Sequence, residues 1–173
     1  TYALLKHLQV KQPHIVVNAG IAGSFSEKYP PGSVVVVKDE LIADLGVTEK
    51  DGYKDVFDLK LQPASQFPFT KKKLSNPHKV LLQRTKLPVV TSVSVNQITT
   101  SKKTATLYSD KYKAAIENME GAAVHYTCLR ENIPFVQIRS ISNYVGDRNK
   151  KNWKINDAVK NLNTELIRLV ESL

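Results

Sequence analysis

Apolar runs of strand length alternate along this chain with segments of helical period. Residues 14–20 (HIVVNAG) read as a short buried strand ending in a glycine turn. Residues 33–44 (SVVVVKDELIAD) read as a longer strand, rich in β-branched residues that suit a covered, pleated surface. Residues 87–95 (LPVVTSVSV), started by Pro88, predict a third strand, and 113–119 (KAAIENM) a weak fourth. Residues 133–145 (IPFVQIRSISNYV) predict a fifth, apolar at its start and polar at its end. Helical patterns fall near 101–112, 121–132 and 156–173. In the last, Val159, Leu162, Leu166, Ile167, Val170 and Leu173 recur behind Asn156, a good helix N-cap.

Strands with continuous apolar character, alternating with helices, predict an α/β fold. Its central sheet should be mixed and largely parallel, flanked by helices. Between residues 48 and 86 the pattern dissolves. Pro63, Pro68 and Pro77 stand there among Phe57, Phe67 and Phe69. A structureless stretch of this length is unusual inside a compact domain, and its aromatics predict packing on a substrate or a second subunit.

Composition narrows the picture. A chain of 173 residues suits one domain, and 42% hydrophobic content supplies one core. No apolar run approaches the ~20 residues of a membrane-spanning helix, and a signal peptide is not expected from the first residues. The single cysteine, Cys128, allows no internal disulfide, so a cytoplasmic protein is expected. The net charge of +9 raises nucleic acid as a partner. The lysines are scattered, however, apart from residues 71–73, 102–103 and 150–151, and no aromatics interleave with them to stack on bases. Solvated surface lysines are the expectation. Thr1 is not an initiator methionine, and TYALLKHL reads as the end of a helix already under way, as in a domain lacking its first strands.

Three motifs offer chemistry. In NAGIAGS (18–24), Gly20 and Gly23 allow tight turns or close backbone approach where a strand reaches its carboxyl edge. The motif is neither GxGxxG nor a P-loop, and a plain strand-ending turn fits as well. The end of the fifth strand presents Arg139, Ser140, Ser142, Asn143 and Tyr144, which suits a site or an ordinary exit from the core. In NMEGAA (118–123), Glu120 sits at a strand-to-helix junction before residues of almost no bulk. There it would lie beside unpaired backbone N–H groups and a favourable dipole. It can stabilise its own helix or serve as a fixed anion for hydroxyls and developing positive charge. The histidines His7, His14, His78 and His125 lack metal-ligand spacing, and Ser92, Ser94, Ser101 and Ser142 lack a GxSxG context.

Taken together, the three motifs resemble the purine nucleoside phosphorylase and nucleosidase superfamily, over nearly the whole chain. The segments DELIADLGV, GYKDVFDL, FPFTKKKLSNPH, SVNQITTS and ISNYVGDRNKKNW are most similar to its futalosine hydrolase family. The resemblance implies the superfamily's three-layer nucleoside phosphorylase-like fold. It also implies cleavage of a purine N-glycosidic bond in menaquinone biosynthesis, without cofactor or metal, in a homodimer or higher homo-oligomer. Glu120 would bind the ribose hydroxyls and stabilise the cation-like ribosyl group. Met119 would pack on the sugar, and Asn118, Ala22 and Gly23 would bind substrate. Ile98 would stack on the base, and the backbone around Thr99 would reach its edge. Asn143 would read the base and, with Glu120, act in catalysis; Ser142, at the substrate, would order the strand end together with Arg139 behind it.

Family phosphorylases carry an arginine where this chain has Asn18 and a serine or threonine where it has Ile21. Asn18 and Ile21 lack the charge and hydroxyl that hold phosphate, so water is the expected nucleophile. Nucleosidases for 6-aminopurines carry an aspartate at the position of Asn143. A carboxamide instead donates to a 6-oxo group and accepts from N7–H, so hypoxanthine is the expected base. The methylthioadenosine/S-adenosylhomocysteine nucleosidases are the nearest alternative, and a non-catalytic nucleic-acid-binding protein is the alternative of another class. The family's water-activating glutamate lies on an N-terminal strand with no counterpart here. Asp44 is the nearest acid, without an assigned role.

Overall fold

In the computed structural model, which describes residues 1–172, the β-branched runs pair into one six-stranded sheet. Its strands are β1 (Val16–Ser24), β2 (Val34–Ile42), β5 (Leu74–Ser75), β6 (Val89–Ser94), β7 (Ile116–Asn118) and β8 (Phe135–Tyr144). Parallel ladders join β1 to β8, β2 to β6 and β6 to β7. Antiparallel ladders join β1 to β7, β2 to β5 and β2 to β8, and the last closes the sheet on itself. The fold is therefore mixed α/β, as the pattern predicts. The helices are α1 (Tyr2–Val10), α2 (Lys79–Arg84), α3 (Lys102–Tyr112), α4 (Gly121–Arg130) and α5 (Ile155–Ser172). No described helix is long and apolar enough to cross a membrane.

Covered on both faces, β2 reads as a continuous apolar run. Val35 and Val37 pack with Ala22, Val90, Ile116 and Ile141 on one face. Val36 packs on the other with Leu82, Val136, Ile138, Leu162 and Leu169, beneath α2 and α5. A third cluster, including Leu41, Val93 and Val95, lies against Tyr108 and Tyr112 of α3. Each fully buried side chain of this kind contributes roughly 1.5–3 kcal/mol.

Four expectations change. NAGIAGS is not a strand-ending turn, because β1 continues through it to Ser24, held by its parallel ladder to β8. Asn156 lies in the first turn of α5, one residue inside its start, rather than at the cap. The stripe α5 buries is Ala158, Leu162 and Leu169, whereas Val159, Ile167 and Val170 are exposed; Leu173 lies outside the described residues. The stretch 48–86 is not structureless. A hairpin of β3 (Gly46–Glu49) and β4 (Gly52–Asp55) opens it, turning at Lys50-Asp51, and Gly52, paired with Glu49, has φ +127°.

Asp55 organises the chain beyond the hairpin. Its Oδ1 accepts from the main-chain N–H groups of Phe57 and Asp58, and Lys72 and Lys111 pair with the same carboxylate. These lysines hold the Asp58 carboxyl well below its ordinary range. Lys73 pairs with Asp39 at 3.0 Å. Two of the three lysines in the basic run are thus spent on internal ion pairs, which weakens a nucleic-acid reading further.

Candidate active site

The carboxyl ends of β1, β6, β7 and β8 converge, and a cavity of about 250 Å³ opens there. Ligand sites form at such ends in α/β sheets. Ala22 and Gly23 come from β1, Ile98 and Thr99 from the loop after β6, and Asn118, Met119 and Glu120 from the β7–α4 junction. Ser142 and Asn143 come from β8, and all nine residues line the cavity. Arg139 lies behind them, buried. The structure therefore brings together every residue that the resemblance singles out. Asp44 is not among them: its carboxylate accepts from Asn96 and Gln97 main-chain N–H groups and braces the β6–α3 loop.

Glu120 occupies the N-cap position of α4 without making a side-chain cap. The expectation of unpaired N–H groups beside it is corrected. Asn118 Oδ1 accepts from the N–H of Glu120 at 3.0 Å and of Gly121 at 2.6 Å, and Ser94 Oγ accepts from Ala122 N–H at 2.8 Å. With the helix start satisfied by neighbours, the Glu120 side chain is released and stands 60% exposed. One oxygen, Oε2, accepts from Arg139 Nη1 at 3.0 Å. Arg139 Nη2 donates to Asn18 Oδ1 at 2.7 Å. Burial lowers the Arg139 pKa, while Glu120 and Glu40 oppose the shift; an arginine stays charged throughout. A Cβ at Gly20, opposite Arg139 in the β1–β8 register, would overlap the guanidinium. Gly20 thus serves the arginine's passage across the sheet rather than a turn.

Beneath this pair lies a buried acid that sequence reasoning missed. Glu40 is fully buried on β2 and accepts from Ser94 Oγ at 3.0 Å, Asn118 Nδ2 at 3.2 Å and Gln137 Nε2 at 3.0 Å. Burial pushes its carboxyl up to about 7 against these hydrogen bonds and the nearby Arg139. Asn118 and Ser94, which satisfy the start of α4, are therefore themselves held by Glu40. A Cβ at Gly121 would run into Glu40 and Gln137, so only glycine fits above the pair. The Asn118 carboxamide is committed to this network, which makes Asn118 a positioning residue at the cavity wall.

Asn143 donates from Nδ2 to Tyr144 O at 2.9 Å and accepts at Oδ1 from Ser142 Oγ at 2.7 Å. Each contact uses half of one end, leaving one N–H and one lone pair. Met119 and the 43% exposed Ile98 present hydrocarbon to the cavity. Ile21 also lines it, whereas Asn18 is tied to Arg139. Glu117 and the segment from Val145 to Trp153 supply further lining that sequence reasoning missed. That segment is held by Trp153 Nε1 donating to Asp147 O at 2.9 Å, with Arg148 over the indole ring. Its signal in the sequence is the run GDRNKKNW directly after the fifth strand. His125 is a core histidine. It is fully buried, bonds Leu74 O through Nδ1 at 2.9 Å, and is pushed down to about 4 by burial. Among the described residues, no cluster of three or more His, Cys, Asp or Glu side chains has metal-binding geometry.

Comparison with known proteins agrees with this architecture. The chain is 29% identical over 160 residues to futalosine hydrolase of Streptomyces coelicolor, covering 92% of this chain and 66% of that protein. It is 29% identical over 180 residues to 5'-methylthioadenosine/S-adenosylhomocysteine nucleosidase of Buchnera aphidicola, covering 100% of this chain and 68% of that protein. The chain thus spans about two thirds of the length of the curated relatives it matches. The structure of futalosine hydrolase from Helicobacter pylori superposes with a TM-score of 0.83 at 18% identity, over 99% of this chain and 74% of that one, and so shares the fold. The model of the phosphorylase superfamily matches residues 1–173, and the chain belongs to that family.

Proposed function

We propose that this chain provides the base and ribose subsites of a purine nucleosidase that hydrolyses futalosine and releases hypoxanthine, a step of menaquinone biosynthesis. The carrying observation is the Glu120 carboxylate, held at one oxygen by buried Arg139 and otherwise open to the cavity. As the bond from the ribosyl carbon to N9 breaks, positive charge grows on the sugar and negative charge on the purine. Glu120 faces the first, with its free oxygen on the ribose hydroxyls. Asn143 meets the second through its remaining N–H and lone pair, at O6 and N7–H. Water supplies hydroxide to the sugar carbon, and its other proton ends on the base. Ile21 offers hydrocarbon to the cavity and Asn18 is engaged by Arg139, which supports water over phosphate as the nucleophile. Two relatives named futalosine hydrolase support the substrate.

The test of base choice is Asn143→Asp. A protonated carboxyl donates to N7 while its other oxygen accepts from a 6-amino group. With adenine, the wild-type carboxamide leaves one donor unpaired, which costs ~1–3 kcal/mol. The ratio of inosine-like to adenosine-like turnover should fall roughly tenfold to a hundredfold in the variant. An unchanged ratio with the fold intact contradicts the assignment.

Self-association through the aromatic stretch is part of the same proposal. Phe57 and Phe69 pack edge-on at 5.2 Å, Leu61 is exposed at a cleft lined also by Ile42, Leu45 and Val56, and Phe67 is exposed with Arg130 over its ring. Light scattering should give at least a dimer, and Phe67→Asp should shift it toward monomer. A monomeric wild type with full activity contradicts this.

A further inference from the structure

Two buried polar atoms beneath α4 face each other without a donor between them. His125 is fully buried, with Phe135 edge-on against its ring at 4.6 Å. Its Nδ1 lies 2.9 Å from Leu74 O, and a carbonyl only accepts, so the proton of the neutral ring is on Nδ1. Nε2 is then a buried lone pair without a partner. The side chain of Gln137, fully buried on β8, stands opposite it. Gln137 Nε2 donates to Glu40 Oε2 at 3.0 Å, and its Oε1 is the second buried atom without a partner. Burial favours the uncharged ring, so two acceptors meet. A carboxamide has nearly the same shape when turned over. Turned, Gln137 donates from Nε2 to His125 Nε2 and points Oε1 at Glu40. That second contact needs a hydrogen, which a protonated Glu40 supplies. Each buried polar atom of His125 and Gln137 then has a partner.

The proton on Glu40 matters at the cavity. The Arg139 guanidinium interacts with both Glu120 and Glu40. An anionic Glu40 divides its charge between the two carboxylates, whereas a neutral Glu40 leaves it to Glu120. Resting on the purine-nucleosidase reading above, we propose that Gln137 is a positioning residue. It passes the neutral state of His125 to Glu40 as a bound proton, and so reserves Arg139 for Glu120. The surroundings are compatible with this. Arg139 on β8 faces Glu40 and His125, and Asp39 on β2 faces His125 and is paired with Lys73. From β5, β6 and β7 come the Leu74 carbonyl, Ser94 and Asn118, all uncharged.

The test is the infrared band of the protonated Glu40 carboxyl, assigned by its loss in Glu40→Gln. It is followed against pH in the full-length wild type and His125→Leu, with thermal melts to verify folding. Leucine removes the ring acceptor, so Gln137 turns its N–H groups to Glu40 and stabilises the anion. The midpoint of the band should fall by about one pH unit in the variant, the worth of one hydrogen bond. The alkaline limb of kcat for a purine nucleoside should move down with it. A purely structural role for His125 would lower stability and leave both midpoints alone. An unmoved band midpoint in the folded variant overturns the coupling, and a moved band with an unmoved kcat limb overturns the positioning role. If His125→Leu does not fold, the imidazole nitrogen shifts of wild type decide at slightly acidic pH. A ring protonated on Nδ1 alone, with Nε2 accepting a hydrogen bond, supports the proposal; protons on both nitrogens with the Glu40 band absent overturn it. Absence of base release by wild type overturns the nucleosidase reading, while the band midpoints still decide the coupling.

Discussion

Glu120→Gln keeps the fold and loses orders of magnitude in rate. Glutamine has the shape of glutamate, and the 60% exposed Glu120 side chain caps nothing. The N–H groups it would otherwise serve are satisfied by Asn118 and Ser94. Arg139 exchanges its ion pair with a largely exposed carboxylate for a neutral hydrogen bond, so stability should fall by only about 1 kcal/mol. The rate effect has a different origin. A neutral amide still accepts from Arg139 and the ribose, but it no longer presents an anion to a ribosyl cation. Loss of one such preorganised group costs about 10²–10³ in kcat, each tenfold being ~1.4 kcal/mol. Thermal melts and turnover of a purine nucleoside check the two halves separately. Near-normal turnover by a folded variant would leave Glu120 a helix-start acid and nothing more.

Glu40→Ala should be the most destabilising single change at the site. It strips acceptors from Ser94, Asn118 and Gln137 inside the sheet and opens a void beside Gly121. The expected loss is ~3–5 kcal/mol, read from the urea midpoint. Loss of the Asn118 and Ser94 anchors should also displace Glu120. The acid leaves a pH signature as well. Its pKa rises from the ordinary 4.5 in the unfolded chain to about 7 in the native state. Within that window the native state holds a proton that the unfolded chain has released. The associated stability is complete below 4.5, falls as pH rises and is gone above about 7, and it amounts to ~3 kcal/mol. His125, lowered to about 4, tilts the curve the opposite way as pH falls below its ordinary 6.5. The Glu40 contribution is therefore the difference between wild type and Glu40→Gln, which does not titrate. Parallel stability curves for the two from about pH 4.5 to 8 would contradict it.

How much of the molecule is legible in its sequence depends on the range over which each feature is encoded. NMEGAA and RSISN are contiguous, so the acid, the small residues and the polar strand end can be named before any fold is known. β2 and β8 are legible from the apolar runs at their starts, where both faces of the sheet are covered. The partnership of Arg139 with Glu120 is not, since it depends on the β1–β8 register and on the absent Cβ of Gly20. Glu40 is hidden for a related reason. In VVVVKDELI a charged residue near a strand end reads as exposed, and only β6, β7 and β8 together supply the donors that let it be buried. The hairpin turns at Lys50-Asp51, but none of the residues of β3 is buried, so no alternation announces it. In α5 a second apolar stripe competes with the one that meets the sheet, and spacing alone does not say which is buried.

Hydrolysis of a purine N-glycosidic bond is decided by its products. The full-length protein is incubated with futalosine in phosphate-free buffer and in added phosphate, and the base and sugar products are quantified. The expected result is hypoxanthine released in equal amount to a free reducing sugar, at a rate indifferent to phosphate. Absence of base release, or release that requires phosphate and yields a sugar 1-phosphate, would contradict it.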